Sequence, residues 1–220
     1  MTMKKRELKE LIEEGENLYC EFKRKFSSHE KIAKEMIAFA NTKGGYLLFG
    51  IDDNKNIIGV DSEKSETELI KEAAIQYCEP PLDVNLEYIE INGKEIVVAE
   101  VPESDYKPHR LQDYMDELDI NKAIVTIRVN DRSIQASKEM IRIMRARANE
   151  LQLKNYSIGI LEKKVFEYLS KNEIITVKIL SSQANISERR ASRTLVKLVR
   201  ANLLIIHTKD NGEEFFTGLE

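Results

Sequence analysis

Glu16, Glu21, Lys23 and the pair Asp52-Asp53 are the residues of this chain whose types and spacing suit chemistry. Residues an odd number apart on a strand point to opposite faces, so Glu21 and Lys23 share one face and Phe22 takes the other. Glu16 joins them only if it lies in the turn before that strand, which Gly15 permits. An acid-x-lysine pair beside a further acid at a neighbouring strand's end is the apparatus of many metal-dependent nucleases. The acids hold a divalent ion such as Mg²⁺ or Mn²⁺, which activates a water and neutralises phosphate charge, and the lysine steadies the nucleophile. Spacing alone favours a plainer outcome, in which Glu16, Glu21 and Asp53 are separate surface residues and Asp52-Asp53-Asn54 is only a turn.

The elements that would position these groups follow from apolar periodicity. Leu8, Leu11 and Ile12 mark an amphipathic helix that Gly15 ends, and Leu18–Phe22 is a short strand. Ser27 and Ser28 offer N-caps to a helix whose apolar face is Ile32, Ala33, Met36, Ile37 and Ala40. After Gly44-Gly45, the run Tyr46–Ile51 has the composition of a strand buried on both faces, with Ile57–Val60 returning as its hairpin partner. A helix over Leu69–Tyr77 stops at Pro80-Pro81. Asp83–Ile91 and Lys94–Val101 flank Asn92-Gly93, the strongest hairpin signal present. Ala123–Val129 is a further strand and Ser137–Leu153 a long helix. This order mixes hairpins with crossovers and predicts an α+β sandwich, a mixed sheet flanked by helices. The expected domains are 1–153 and 154–220.

Composition narrows the function classes. The chain has 220 residues, 42% hydrophobic and 33% charged, enough for one ordinary domain and a smaller one. No apolar run approaches the roughly 20 residues of a membrane span, and Met1–Glu10 lacks the apolar core of a secretory signal. Cys20 and Cys78 form no CxxC pair and read as reduced thiols of a cytoplasmic protein. His29, His109 and His207 are too scattered for a zinc site. Gly44-Gly45 precedes a strand rather than following one, and no GxxxxGK[ST] exists, so no nucleotide cofactor and no ATPase are expected. The net charge is −4, yet Tyr156–Glu220 holds ten Lys and Arg against eight Asp and Glu, which makes the tail the more cationic part.

That tail reads as three helices, Ile158–Ser170, Thr176–Ser182 and one capped by Ser187 that runs to Asn202, followed by a hairpin across Asn211-Gly212. This is the pattern of a winged helix-turn-helix. In its third helix Ala191, Leu195, Leu198 and Val199 face one way, and Arg189, Arg193, Lys197 and Arg200 the other, with Val196 interrupting the cationic side. The stripe suits a major groove, with Glu188, Arg189, Arg190 and Arg193 near base edges. The same face would equally suit a solvated side of a dimerisation module.

The segments Glu16–Lys23 and Ala38–Asp53, with Ile57–Val60, Tyr106–His109 and Ile127–Val129, resemble the Schlafen AlbA-type domain, formerly labelled divergent AAA. The resemblance spans roughly Leu11 to Arg147. It implies a prokaryotic architecture that joins this domain to a winged helix and is described as transcriptional regulation. It also implies kinship with animal Schlafens, among them endoribonucleases acting on tRNA and rRNA through two glutamates and an aspartate that bind metal. Those positions correspond to Glu16, Glu21 and Asp53 or, one place off, Asp52. The sequence departs from the pattern in a longer, more acidic Leu111–Asn121 loop and in carrying a single copy of the domain, so a clamp around RNA would need a homodimer.

Two functions therefore stand side by side. One is a DNA- or RNA-binding regulator without chemistry, whose first domain dimerises or tracks phosphate through Lys23, Arg24, Lys25 and a Lys138, Arg142, Arg145 stripe. The other is a metal-dependent endoribonuclease using Glu16, Glu21 and Asp53. The added module and the family's description favour the regulator. An oligomerisation scaffold fits less well with two basic stripes.

Overall fold

Gly44 and Gly45 show how the chain turns from its first long helix into its central strand. Gly44 takes φ of +70°, where a side chain is strained, and a Cβ on Gly45 would meet the Phe39 ring at 2.4 Å. The computed structural model describes residues 3–148 and 158–219. In chain order its first elements are α1 (Lys5–Glu14), β1 (Cys20–Lys23), α2 (His29–Asn41), β2 (Gly45–Phe49), α3 (Glu63–Gln76), β3 (Cys78–Glu79), β4 (Asn85–Ile91) and β5 (Lys94–Val101). There follow β6 (Arg110–Leu111), β7 (Thr126–Val129), β8 (Arg132–Gln135), α4 (Lys138–Ala148), α5 (Ile160–Leu169), α6 (Val177–Ala184), α7 (Glu188–Arg200), β9 (Leu204–Thr208) and β10 (Glu214–Gly218). Two compact units result, Met1–Gln135 and Ala136–Glu220. The boundary expected at 153/154 lies outside the described residues, as does the end of the helix expected to reach Leu153.

The first unit is built on a four-stranded mixed sheet ordered β1-β2-β5-β4, with β1 and β2 parallel and the other pairs antiparallel. Alternation along the strands supplies two cores. Leu47, Phe49, Val97, Ala99 and Val101 pack with Ile32, Met36, Ile37 and Phe39 of α2 and Ile70 of α3. Leu48, Ile96, Val98, Cys20 and Phe22 pack instead with Leu8 and Ile12 of α1. The sheet is thus buried on both faces, an α+β architecture in layers. The Asn92-Gly93 hairpin forms with both residues at positive φ, 53° and 74°.

Three local expectations are corrected. The strand expected from Leu18 begins at Cys20, because Asn17 makes a tight turn first: its Oδ1 accepts from Tyr19 N at 2.8 Å and its N–H donates to Cys20 O at 3.0 Å. Ile57–Val60 adds no strand; only a bridge joins Ile57 to Ile51, and the N–H groups of Ile58 and Gly59 both donate to Gly50 O. The edge of β2 they would have taken is filled by β5. The strand expected from Ala123 starts at Thr126 and turns at Asn130, at φ 53°, into the unanticipated β8.

In the second unit Leu195, Leu198 and Val199 of α7 join Val165, Ile175, Leu180, Phe216 and Ile143 of α4 in one core. Ser137 at the head of α4 donates to Glu214 of β10 at 2.6 Å and accepts from Met140 N at 2.9 Å. Burial, with the charge of Glu139, pushes the Glu214 carboxyl up to about 7 against the Ser137 bond that favours its ionised form. A carboxyl raised above its unfolded value of 4.5 binds its proton more tightly when folded, so stability falls as pH rises through the window from 4.5 to about 7. Glu214→Gln is therefore expected to exceed the wild type in urea unfolding at pH 8 by on the order of 2 kcal/mol and to match it at about pH 4, below the unfolded value. An equal difference at both pH values would refute this.

Candidate nucleic-acid interface

On β1, Glu21 and Lys23 project to the α2 side of the sheet, opposite Cys20 and Phe22, and their side chains form an ion pair. The centre of the cluster is a residue of β7. The Arg128 side chain is fully buried and donates to Glu21 Oε2 at 2.9 Å, Asn17 O at 2.7 Å and Ser133 Oγ at 3.1 Å. Its guanidinium also lies 3.5 Å from Glu35 Oε2 and stacks 4.7 Å above the Phe39 ring. Ser133 Oγ donates to Glu35, whose other oxygen is 3.9 Å from Lys23 Nζ. Two carboxylates thus face two cations, and the cluster is close to neutral.

Glu16 sits in the turn after Gly15, as its approach to Glu21 requires, and accepts from Phe22 N at 2.9 Å. Burial raises its carboxyl pKa, the Phe22 N–H opposes that, and the charges of Glu21 and Asp53 raise it further while Lys23 lowers it. The charges of Glu21, Lys23 and Asp53 are thus all felt at Glu16. Asp52 is used otherwise. It accepts from Asn56 N at 2.8 Å, Asn54 N at 3.0 Å and Asn56 Nδ2 at 3.1 Å, and the Asn56 bonds lead in holding its carboxyl below the usual range. Arg24 and Lys25 are exposed beyond the strand.

The donor set does not fit a divalent ion in this arrangement. One Glu21 oxygen is held by Lys23 and the other by Arg128, and Glu16 already shares one with a backbone N–H. A cation would have to displace two charged partners to claim Glu21. Among the described residues, no three of His, Cys, Asp and Glu gather closely enough to hold a metal.

In the second unit, α7 divides cleanly. Ala191, Leu195, Leu198 and Val199 are buried, Val196 is buried beside them, and Arg189, Arg190, Arg193 and Lys197 are exposed. Ser187 Oγ caps the helix by accepting from Arg190 N, and Asn185 at φ 50° turns α6 into it. Lys197 Nζ lies 3.9 Å from Glu162, and Arg200 is half-buried. The Lys138, Arg142, Arg145 set belongs to this unit rather than the first. Lys138 and Arg145 are exposed, whereas the Arg142 guanidinium reaches Glu139 and Ser192 of α7, each at 3.4 Å.

Sequence reasoning passed over Arg128, Glu35 and Ser133 as members of the first cluster. The signal was available for two of them: Arg128 is the lone charge in the run Ala123–Val129, and Glu35 interrupts the apolar stretch from Ile32 to Ala40.

A family model described as Schlafen, AlbA_2 matches residues 16–137. Among solved structures, the N-terminal domain of a RecG-related protein from Nitrosomonas europaea is 25% identical, over 50% of this chain and 81% of that one, at a TM-score of 0.41. The DIP2311 protein from Corynebacterium diphtheriae is 17% identical over 59% of this chain and 28% of its own length, at a TM-score of 0.42. No helix among the described residues is long and apolar enough to cross a membrane.

Proposed function

The chain belongs to the Schlafen AlbA_2 family, and on that premise we propose that it is a nucleic-acid-binding protein, a DNA-binding regulator acting in the cytoplasm. The observation that carries this is α7, which buries Ala191, Leu195 and Leu198 while leaving Arg189, Arg190 and Arg193 in solvent. The order α5, α6, α7, β9, β10 supports a winged helix-turn-helix, in which α7 enters the major groove and the hairpin flanks it. A homodimer would present two such helices to two half-sites. The experiment is fluorescence anisotropy with random duplex DNA, single-stranded RNA and tRNA at several salt concentrations. Duplex binding that weakens steeply with salt is expected; equal or absent binding to all three would sink the regulator.

A divalent-metal-dependent endoribonuclease cutting tRNA or rRNA is the competing reading, since the charges of Glu21 and Asp53 reach Glu16. Glu21 is spoken for by Lys23 and Arg128, so intact tRNA is expected after incubation with Mn²⁺ or Mg²⁺, for the wild type and for Glu16→Gln/Asp53→Asn alike. Metal-dependent cleavage lost in that variant would establish the nuclease instead. Asp53 is exposed, and glutamine at position 16 keeps an oxygen to accept from Phe22 N, so the substitutions leave the fold intact.

A further inference from the structure

His109 is a buried histidine with no part in either function above, and its ring has partners at both ends. Nδ1 is 2.8 Å from Pro80 O and Nε2 is 2.7 Å from Ser104 Oγ. A carbonyl oxygen only accepts, so Nδ1 carries the proton. Nε2 is then the lone-pair nitrogen, and the Ser104 hydroxyl must donate to it. The backbone of His109 is equally fixed: its N–H donates to Asn41 Oδ1 and its C=O accepts from Asn41 Nδ2, both at 2.8 Å. Ser104 itself is half-buried, anchored by its N–H to Ala40 O at 3.0 Å, and its Oγ also accepts from Tyr106 N at 3.0 Å.

These are the relations of an activated nucleophile: a hydroxyl on a base, and the base oriented by a third group on its far side. We propose that Ser104 is a nucleophile activated by His109, with the Pro80 carbonyl as the orienting group, and that it accepts acyl groups from small activated carboxylic esters. In the first step the Ser104 Oγ–C bond forms, the hydroxyl proton passes to His109 Nε2, and that proton leaves with the departing alkoxide as the ester C–O bond breaks. Water then attacks the acyl-serine, giving its proton to Nε2 and returning the serine with release of the acid. The site is separate from the Arg128 cluster and from α7, and it does not depend on nucleic-acid binding.

Burial is the first cause holding the His109 pKa below its ordinary 6.5, with the positive charge of Lys107 adding to it and the Pro80 bond and Glu79 opposing it. The imidazole is consequently neutral and able to take a proton at pH 7.

A fluorophosphonate probe tests the assignment on the full chain, because the serine oxygen displaces fluoride at phosphorus under the same base assistance. Intact-mass and peptide analysis are expected to find one adduct, on Ser104, that Ser104→Ala abolishes. His109→Gln is expected to slow labelling about 100-fold. Should that variant fail to fold, the wild-type pH profile decides: a labelling rate level from about pH 8 to about 6.5 is expected, because Nε2 stays unprotonated throughout that range. No adduct on Ser104, an adduct formed equally fast by folded His109→Gln, or a rate that climbs about tenfold per pH unit from about 6.5 to about 8, as for a hydroxyl without a base, would each overturn the proposal.

Discussion

Arg128→Met is expected to destabilise the first unit by about 3–5 kcal/mol, the cost of removing one partner from a buried charge cluster. Its guanidinium is fully buried, and its loss leaves two carboxylates, Glu21 with a side chain only 11% exposed and Glu35, facing Lys23 without the second cation. The stack on Phe39 goes with it. Most of this loss comes from uncompensated carboxylate rather than from the pair's net worth, which predicts a partial rescue. Adding Glu35→Gln to Arg128→Met is expected to restore part of the stability, because Glu21 and Lys23 then remain as a balanced pair. Urea unfolding at pH 7 measures both. A single-variant loss under about 1 kcal/mol, at the level of ordinary surface pairs, would show that the cluster does not hold β7 against β1.

Neutralising Arg189, Arg193 and Lys197 together is expected to weaken duplex DNA binding about 10²-fold at about 0.1 M salt. The slope of log affinity against log salt should flatten by about 2.7, or about 0.9 for each phosphate that is no longer neutralised. All three are exposed on α7 and none belongs to the apolar core, while Lys197 also pairs with the buried Glu162 at 3.9 Å, so unfolding of the variant is measured beside its binding. Glutamine at these positions keeps helix propensity. Unchanged affinity and slope would reject α7 as the docking element, and the exposed Lys138 and Arg145 of α4 would become the next surface to test.

Much of the arrangement around β1 was legible in the residues because it is local. Strand parity places Glu21 beside Lys23 with Phe22 opposite, and Gly15 lets Glu16 lie in the preceding turn; the ion pair and the Phe22 N–H bond follow. The Asn-Gly hairpin and the caps at Ser28, Thr176 and Ser187 follow from equally short-range rules. What pairs with Glu21 was not legible. Arg128 lies 107 residues further on, and no period or propensity links the two. Ile57–Val60 misled for a related reason: it has the composition of a strand, but the competing edge partner, β5, is longer and held by its own hairpin to β4. The short pair β3 and β6 joins Cys78 to Leu111 and Glu79 to Arg110, two residues in each strand and too little pattern to detect.

The sheet order leaves β4 at one margin, and its side chains there include Asn85, Glu87 and Glu90. A second copy laid antiparallel along that rim would set carboxylates against carboxylates at strand spacing, where like charges repel. Such repulsion disfavours edge-to-edge pairing of copies along this rim. Charge removal at Glu87 and Glu90 is where such zippering would begin.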